Sequence, residues 1–225
     1  METWLFYIAV PLILGIWAQM RVKSAFSRYS SVRVASGLTG AEAAREIMNA
    51  AQIHDVDIVQ INGVLGDHYD PTSKRLCLST ATYGSPSVAA VGIAAHETGH
   101  AIQHARAYAP LQMRMTIVPV TQFASRMLPF VIFGGFILRS FGLIEIGILC
   151  YLVLTLFQLV TLPVEYDASR RAKIVLGQLG IIQPGAEAAG VNAVLDAAAL
   201  TYVAAFVAAL GNLVWLLSIA GGRRR

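Results

Sequence analysis

The sequence predicts a mainly α-helical integral membrane protein, with about four transmembrane helices and a small α+β region. Three observations carry that expectation. Hydrophobic residues make up 56% of the 225 residues and charged residues only 13%, with mean hydropathy +0.61, well outside the soluble norm. The apolar residues are gathered into runs long enough to cross a bilayer. The basic residues mostly flank those runs, as topology determinants do. Net charge +4 and pI near 9.3 therefore do not point to nucleic acid, and no basic patch is interleaved with aromatics. Cys77 and Cys150 are far apart in different kinds of segment, which excludes a disulfide framework and a paired thiolate metal site.

The first run, Thr3 to Met20, is uncharged, with Glu2 before it and Arg21, Lys23 and Arg28 after it. A signal peptide carries its positive charge ahead of the apolar core, so this run reads as a retained anchor with its N-terminus outside. From Arg21 to about Arg114 the composition is mixed. Thr39, with Glu42 three residues on, forms a capping box for an amphipathic helix whose apolar face is Ala43, Ile47, Ala50 and Ala51. Val56 to Ile61 reads as a short strand ahead of an Asn62-Gly63 turn. Asp67 to Pro71 reads as a polar turn, and Lys74 to Ser79 alternates as a half-buried strand does. Beyond Arg114, Thr116–Leu138 and Gly142–Leu162 are spans joined tightly enough to form a hairpin, and Ala197–Ala220 is a last span before Arg223, Arg224 and Arg225.

Between the strand and the hairpin lies Ser85 to His104, SPSVAAVGIAAHETGHAIQH, read as a helix capped by Ser85 with Pro86 in its first turn. It contains His96-Glu97-Thr98-Gly99-His100, an H-E-x-x-H pattern. Residues four apart share a helix face, so His96 and His100 can hold one zinc ion with Glu97 as general base. A catalytic zinc usually has a third protein ligand. The extended pattern H-E-x-x-H-x-x-G-x-x-H is excluded, because Gln103 and Arg106 occupy the required positions. His104 lies about two turns from His96, at ~1.5 Å per residue, too far to share its ion. Glu165, just past the hairpin, returns to the side from which the chain left, whichever way the protein sits in the bilayer. It is the expected third ligand; the competing reading is an interfacial glutamate paired with Arg170 or Arg171.

With these residues in view, DHYDP, AAHETGHAIQHA and VEYDASRRA resemble the YugP-like bacterial membrane neutral zinc metallopeptidases. The likeness runs from about Leu38 to Ala172 and is gluzincin-like, distantly similar to the HtpX and CAAX-protease families. It implies an integral membrane metalloendopeptidase with a zincin-like domain. Such relatives often carry an aspartate four residues after the third ligand to support a histidine. Here that position is Ser169, and Asp167 stands two residues after Glu165.

The expected organisation is an anchor at 1–20, a catalytic region at 21–114, a transmembrane hairpin at 115–163, a third-ligand helix and connector at 164–196, and a last span with a basic tail at 197–225. The expected partners are a peptide or membrane-protein substrate and the lipid bilayer, with Zn2+ as cofactor and no nucleic acid. With the N-terminus outside, 12 of the 17 basic residues face the cytoplasm together with the site, although the terminal arginines run against the rule. Lys74 to Ser79 is read as an edge strand that an extended substrate could join by β-augmentation. The alternative to a peptidase is a non-catalytic, zinc-containing membrane scaffold or adaptor, against which an intact Glu97 argues.

Overall fold

The computed structural model describes residues 3–222, so the terminal arginines of the topology reading lie outside the described residues. The elements in order are α1 (Thr3–Ser30), α2 (Gly40–Ala50), β1 (Asp57–Ile61), β2 (His68–Asp70), β3 (Arg75–Ser79), α3 (Thr80–Tyr83), α4 (Val88–Ala105), α5 (Ala109–Ile137), α6 (Phe141–Gln178) and α7 (Ala186–Gly222). Helices α1, α5, α6 and α7 are long and apolar enough to cross a membrane. The chain divides into two compact units.

One unit holds residues 1–18, 112–163 and 200–225. Its α5–α6 connection is tight: Arg139 takes φ 49°, and Gly134 and Gly135 lie against Leu143 and Ile144. Phe136 stacks on Trp215 at 5.8 Å between centroids. Apolar side chains that would face water in a soluble protein stay open, Phe130 at 73% and Phe133 at 71%, as expected of a surface meant for lipid.

The other unit holds residues 19–111 and 164–199 and is built around α4. The first turns of α4 are buried on every side, with Val88, Ala90, Val91, Ala94 and Ala95 all at 0% exposure. Val88, Val91 and Ala95 pack with Ala43, Ile47 and Met48 of α2, Ala172 and Leu176 of α6, and Val191 and Leu195 of α7. Ala94 meets Leu76 and Leu78 of the sheet in a second cluster. Small residues are what let so many elements reach one helix. At Gly99 the α6 backbone comes close: a Cβ there would sit 2.8 Å from the Ala168 carbonyl oxygen.

Local sequence explains the element ends. The Thr39 capping box forms as its spacing predicts, with the Thr39 N–H donating to Glu42 Oε2 at 2.8 Å and the Glu42 N–H donating to Thr39 Oγ1 at 3.3 Å. The buried face of α2 is Ala43, Ala44, Ile47 and Met48, and Ala51 packs against the same core, whereas Ala50 is exposed on the other side of the helix. Helix α4 starts two residues later than expected. Ser87, not Ser85, is its N-cap and accepts the Ala90 N–H, while Ser85 Oγ donates to Ser87 Oγ.

The sheet corrects the strand reading more substantially. Its order is β1-β3-β2, with β1 parallel and β2 antiparallel to β3. The segment around Lys74 to Ser79 is therefore the central strand, bonded on both sides and unable to accept a further strand. Its last four residues are buried, so the polar-apolar alternation did not mark one wet face. Asp67 to Pro71, expected as a turn, contains edge strand β2. Asp67 holds β2 in place by accepting the Ser79 N–H at 2.7 Å and the Ser79 hydroxyl at 3.0 Å. Asp70 caps the following turn through the Thr72 N–H and Ser73 hydroxyl. Helix α6 runs through Pro163 without a break, so Glu165 belongs to the same helix as the preceding span. A proline costs a helix one N–H, a loss tolerated in membrane helices.

Three outcomes are expected. Gly99→Ala should destabilise the protein by about 1–3 kcal/mol, the range for overpacking, read as a lowered thermal midpoint, because the atom it meets is backbone. Thr39→Ala should cost about 1 kcal/mol as a lost cap. The Thr39 backbone N–H and then its hydroxyl hold the Glu42 carboxyl below the usual carboxylate range, so that contribution is present above the ordinary carboxylate pKa and fades as pH falls through the folded value. The thermal midpoints of the wild type and Glu42→Gln should therefore converge on acidification.

Candidate metal centre

His96, Glu97 and His100 all lie on α4, and the four-residue spacing turns both imidazoles to one side of it. Their rings are 4.9 Å apart between centroids and nearly perpendicular, at 83°. Glu165 enters from α6. Its Oε2 lies 3.2 Å from His96 Nε2 and 3.5 Å from His100 Nε2. One ligand atom from each of the three residues falls within 4.8 Å of the other two. Two imidazole nitrogens and a carboxylate oxygen, all buried, form a donor set that suits zinc and leaves room for a fourth ligand.

Each imidazole is held from behind. Ser169 Oγ lies 3.1 Å from His96 Nδ1. His100 Nδ1 is 3.0 Å from Gln103 Oε1. Gln103 Nε2 donates in turn to the Val164 carbonyl at 2.8 Å and to Asp167 Oδ2 at 2.9 Å. Asp167 accepts from both arginines that might have paired with Glu165, Arg170 Nη2 and Arg171 Nε, at 2.5 Å each. Those ion pairs exist, but two residues further along the chain than Glu165.

Glu97 is half-buried and turns toward the sheet. The Tyr69 N–H of β2 donates to Glu97 Oε2 at 3.1 Å, which means that the open edge of β2 faces the carboxylate. Burial pushes the Glu97 carboxyl up, against the opposing pull of His96 and His100. For His100 burial works downward, and the neighbouring carboxylates Glu165 and Glu97, with Gln103, override it to a net upward shift. His104 stands apart from the cluster, with Nδ1 at 2.8 Å from the Tyr69 hydroxyl. That phenol is pushed up to about 12 by burial and then by Asp55 and Asp70, so it stays a neutral hydroxyl. His68, at the exposed start of β2, donates from Nδ1 to the Gly66 carbonyl at 2.8 Å, and Tyr166 is 50% exposed.

The structure thus brings His96, His100 and Glu165 together and sets Glu97 beside them. Sequence reasoning passed over Gln103 and Tyr69, and it marked Ser169 only as the place of an expected aspartate. Gln103 was weighed only as the absence of a glycine, although a residue three after His100 neighbours it on a helix. No periodicity could show that Tyr69 would present a backbone amide to Glu97.

"Putative membrane protease YugP" of Bacillus subtilis (strain 168) is 45% identical over 215 residues, covering 96% of this chain and 95% of the relative. No solved structure matches. The family described as "Putative neutral zinc metallopeptidase" matches residues 4–221, and the chain belongs to that family.

Proposed function

We propose that the protein is a zinc-dependent membrane endopeptidase that cuts peptide bonds of membrane or membrane-proximal proteins, with His96, His100 and Glu165 as metal ligands. The observation that carries this reading is the convergence of the three buried ligand atoms with a fourth group, the carboxylate of Glu97, beside them. A structural zinc site has no need of that fourth group, which is why the scaffold alternative ranks second. Zinc bound there would supply Lewis-acid polarisation of the scissile carbonyl and a water of lowered pKa. Glu97 takes the proton from the attacking water and returns it to the departing amine. The Tyr69 N–H restrains one oxygen of Glu97, leaving the other free for that transfer.

In this reading residues 21–114 and 164–196 form the zincin-like part, of gluzincin type, with the membrane spans at 1–20, 115–163 and 197–220. The positive charges after the first span favour a cytoplasmic site. An extended substrate would lie along β2, since β3 has no free edge.

Purified protein should cleave casein or a membrane-protein substrate, lose that activity to a chelator and regain it with added Zn2+. Glu97→Gln should lower cleavage by roughly 10²–10⁴-fold while zinc content is kept. Glu165→Gln should instead lower zinc content. Stoichiometric zinc with no cleavage of any substrate, and cells indifferent to Glu97→Gln, would favour the scaffold.

A further inference from the structure

We propose that Gln103, clamped by Asp167 and the Val164 carbonyl, is a positioning residue that locks His100 in its Nδ1–H tautomer and so turns the Nε2 lone pair to the metal. This inference rests on the metal-site reading above and assigns work to two residues outside the ligand set.

The direction of the Gln103 amide is forced by its surroundings. A glutamine amide has a donating and an accepting end, and a flipped amide reverses them. Gln103 is fully buried at 0% exposure, so water cannot satisfy whichever end is wrong. On its α6 side it meets two groups that only accept: the Val164 carbonyl at 2.8 Å and Asp167 Oδ2 at 2.9 Å. Asp167 accepts from Arg170 and Arg171 as well, and the Arg171 guanidinium is itself backed by the Tyr108 ring at 5.7 Å. The Nε2 group must therefore face α6, and Oε1 must face His100 Nδ1, 3.0 Å away. An acceptor at that position requires a hydrogen on Nδ1. A neutral imidazole so fixed carries its lone pair on Nε2, the nitrogen that faces Glu165.

A flipped Gln103 would leave its donor facing His100, stabilise the Nε2–H tautomer and remove a ligand. It would also leave the oxygen against a carboxylate and a carbonyl, a buried repulsion with no water to relieve it. His96 has a looser arrangement. Its Nδ1 faces the Ser169 hydroxyl at 3.1 Å, which can rotate to donate or accept. The tautomer of His100 is thus imposed from outside the site, and that of His96 is not.

The test uses full-length protein loaded with Co2+ and labelled with 15N-histidine. A ring N–H of a histidine bound to high-spin Co2+ gives a strongly shifted proton signal that disappears in D2O. The wild type should show two such signals, one of them slow to exchange because Gln103 buries and bonds it. Gln103→Met, close in volume but without either polar end, should lose or greatly speed the exchange of that signal and weaken Zn2+ affinity by about 10–100-fold in chelator competition. Ser169→Ala should alter the other signal only, which assigns the first to His100. If Gln103→Met does not fold, the wild type with Ser169→Ala decides alone: a His100 ring bearing its hydrogen at Nε2, or no protected signal, overturns the proposal. Unchanged exchange and unchanged Zn2+ affinity in a folded Gln103→Met also overturn it. Cobalt uptake without the His100 signal would defeat this inference and leave the metal site standing, whereas no uptake would remove both.

Discussion

A carboxylate at 1% exposure is expensive to bury, and Glu165 is such a group. Its solution is two imidazoles presented by another helix, each with Nε2 within 3.5 Å of Glu165 Oε2. Everything near the site follows from keeping α4 and α6 close enough for that meeting. Gly99 faces the Ala168 backbone at a distance no side chain would permit. Ala168 and Ala172, one turn apart on α6, are both fully buried, so small residues line the approach from that side as well. The two x positions of the H-E-x-x-H pattern are therefore not free: Gly99 is the contact between the helices, and Thr98 Oγ1 is turned back to bond the Ala94 carbonyl.

Two layers behind the ligands keep the meeting directional. The serine behind His96 and the glutamine behind His100 come from different helices, yet both depend on α6, which supplies Ser169, Asp167 and the Val164 carbonyl. Helix α6 thus carries the carboxylate and groups that hold both imidazoles, Ser169 directly and Asp167 and Val164 through Gln103. A third support is the sheet, whose edge strand reaches Glu97 through a backbone amide. Asp67 matters here by fastening the start of β2 to the end of β3, so the DHYDP stretch is built from one clamp, one amide contact and one turn cap.

Much of this was legible in the sequence, for identifiable reasons. A 3.6-residue helical period makes His96 and His100 neighbours without any knowledge of the fold, and a two-span hairpin brings Glu165 back to their side by topology alone. The capping box at Thr39 was readable because it needs only local spacing. What failed was anything set by pairing between segments. Lys74 to Ser79 looked like an edge because alternation reports which residues are polar and not which strands lie alongside; β1 and β2 both bond to it. Three-residue β2 is too short to carry a period, so its turn-forming flanks dominated. Gln103 was illegible as a support because its role depends on Asp167, 64 positions away.

The central claim is that two histidines of α4 and one carboxylate of α6 hold a single zinc. X-ray absorption at the zinc edge of the purified, full-length protein tests it most directly. Two imidazole nitrogens at about 2.0–2.1 Å and oxygen ligands at about 2.0–2.2 Å are expected, with stoichiometric zinc lost in Glu165→Ala. Sulfur in the coordination sphere, a single imidazole, or full zinc content in Glu165→Ala would contradict it.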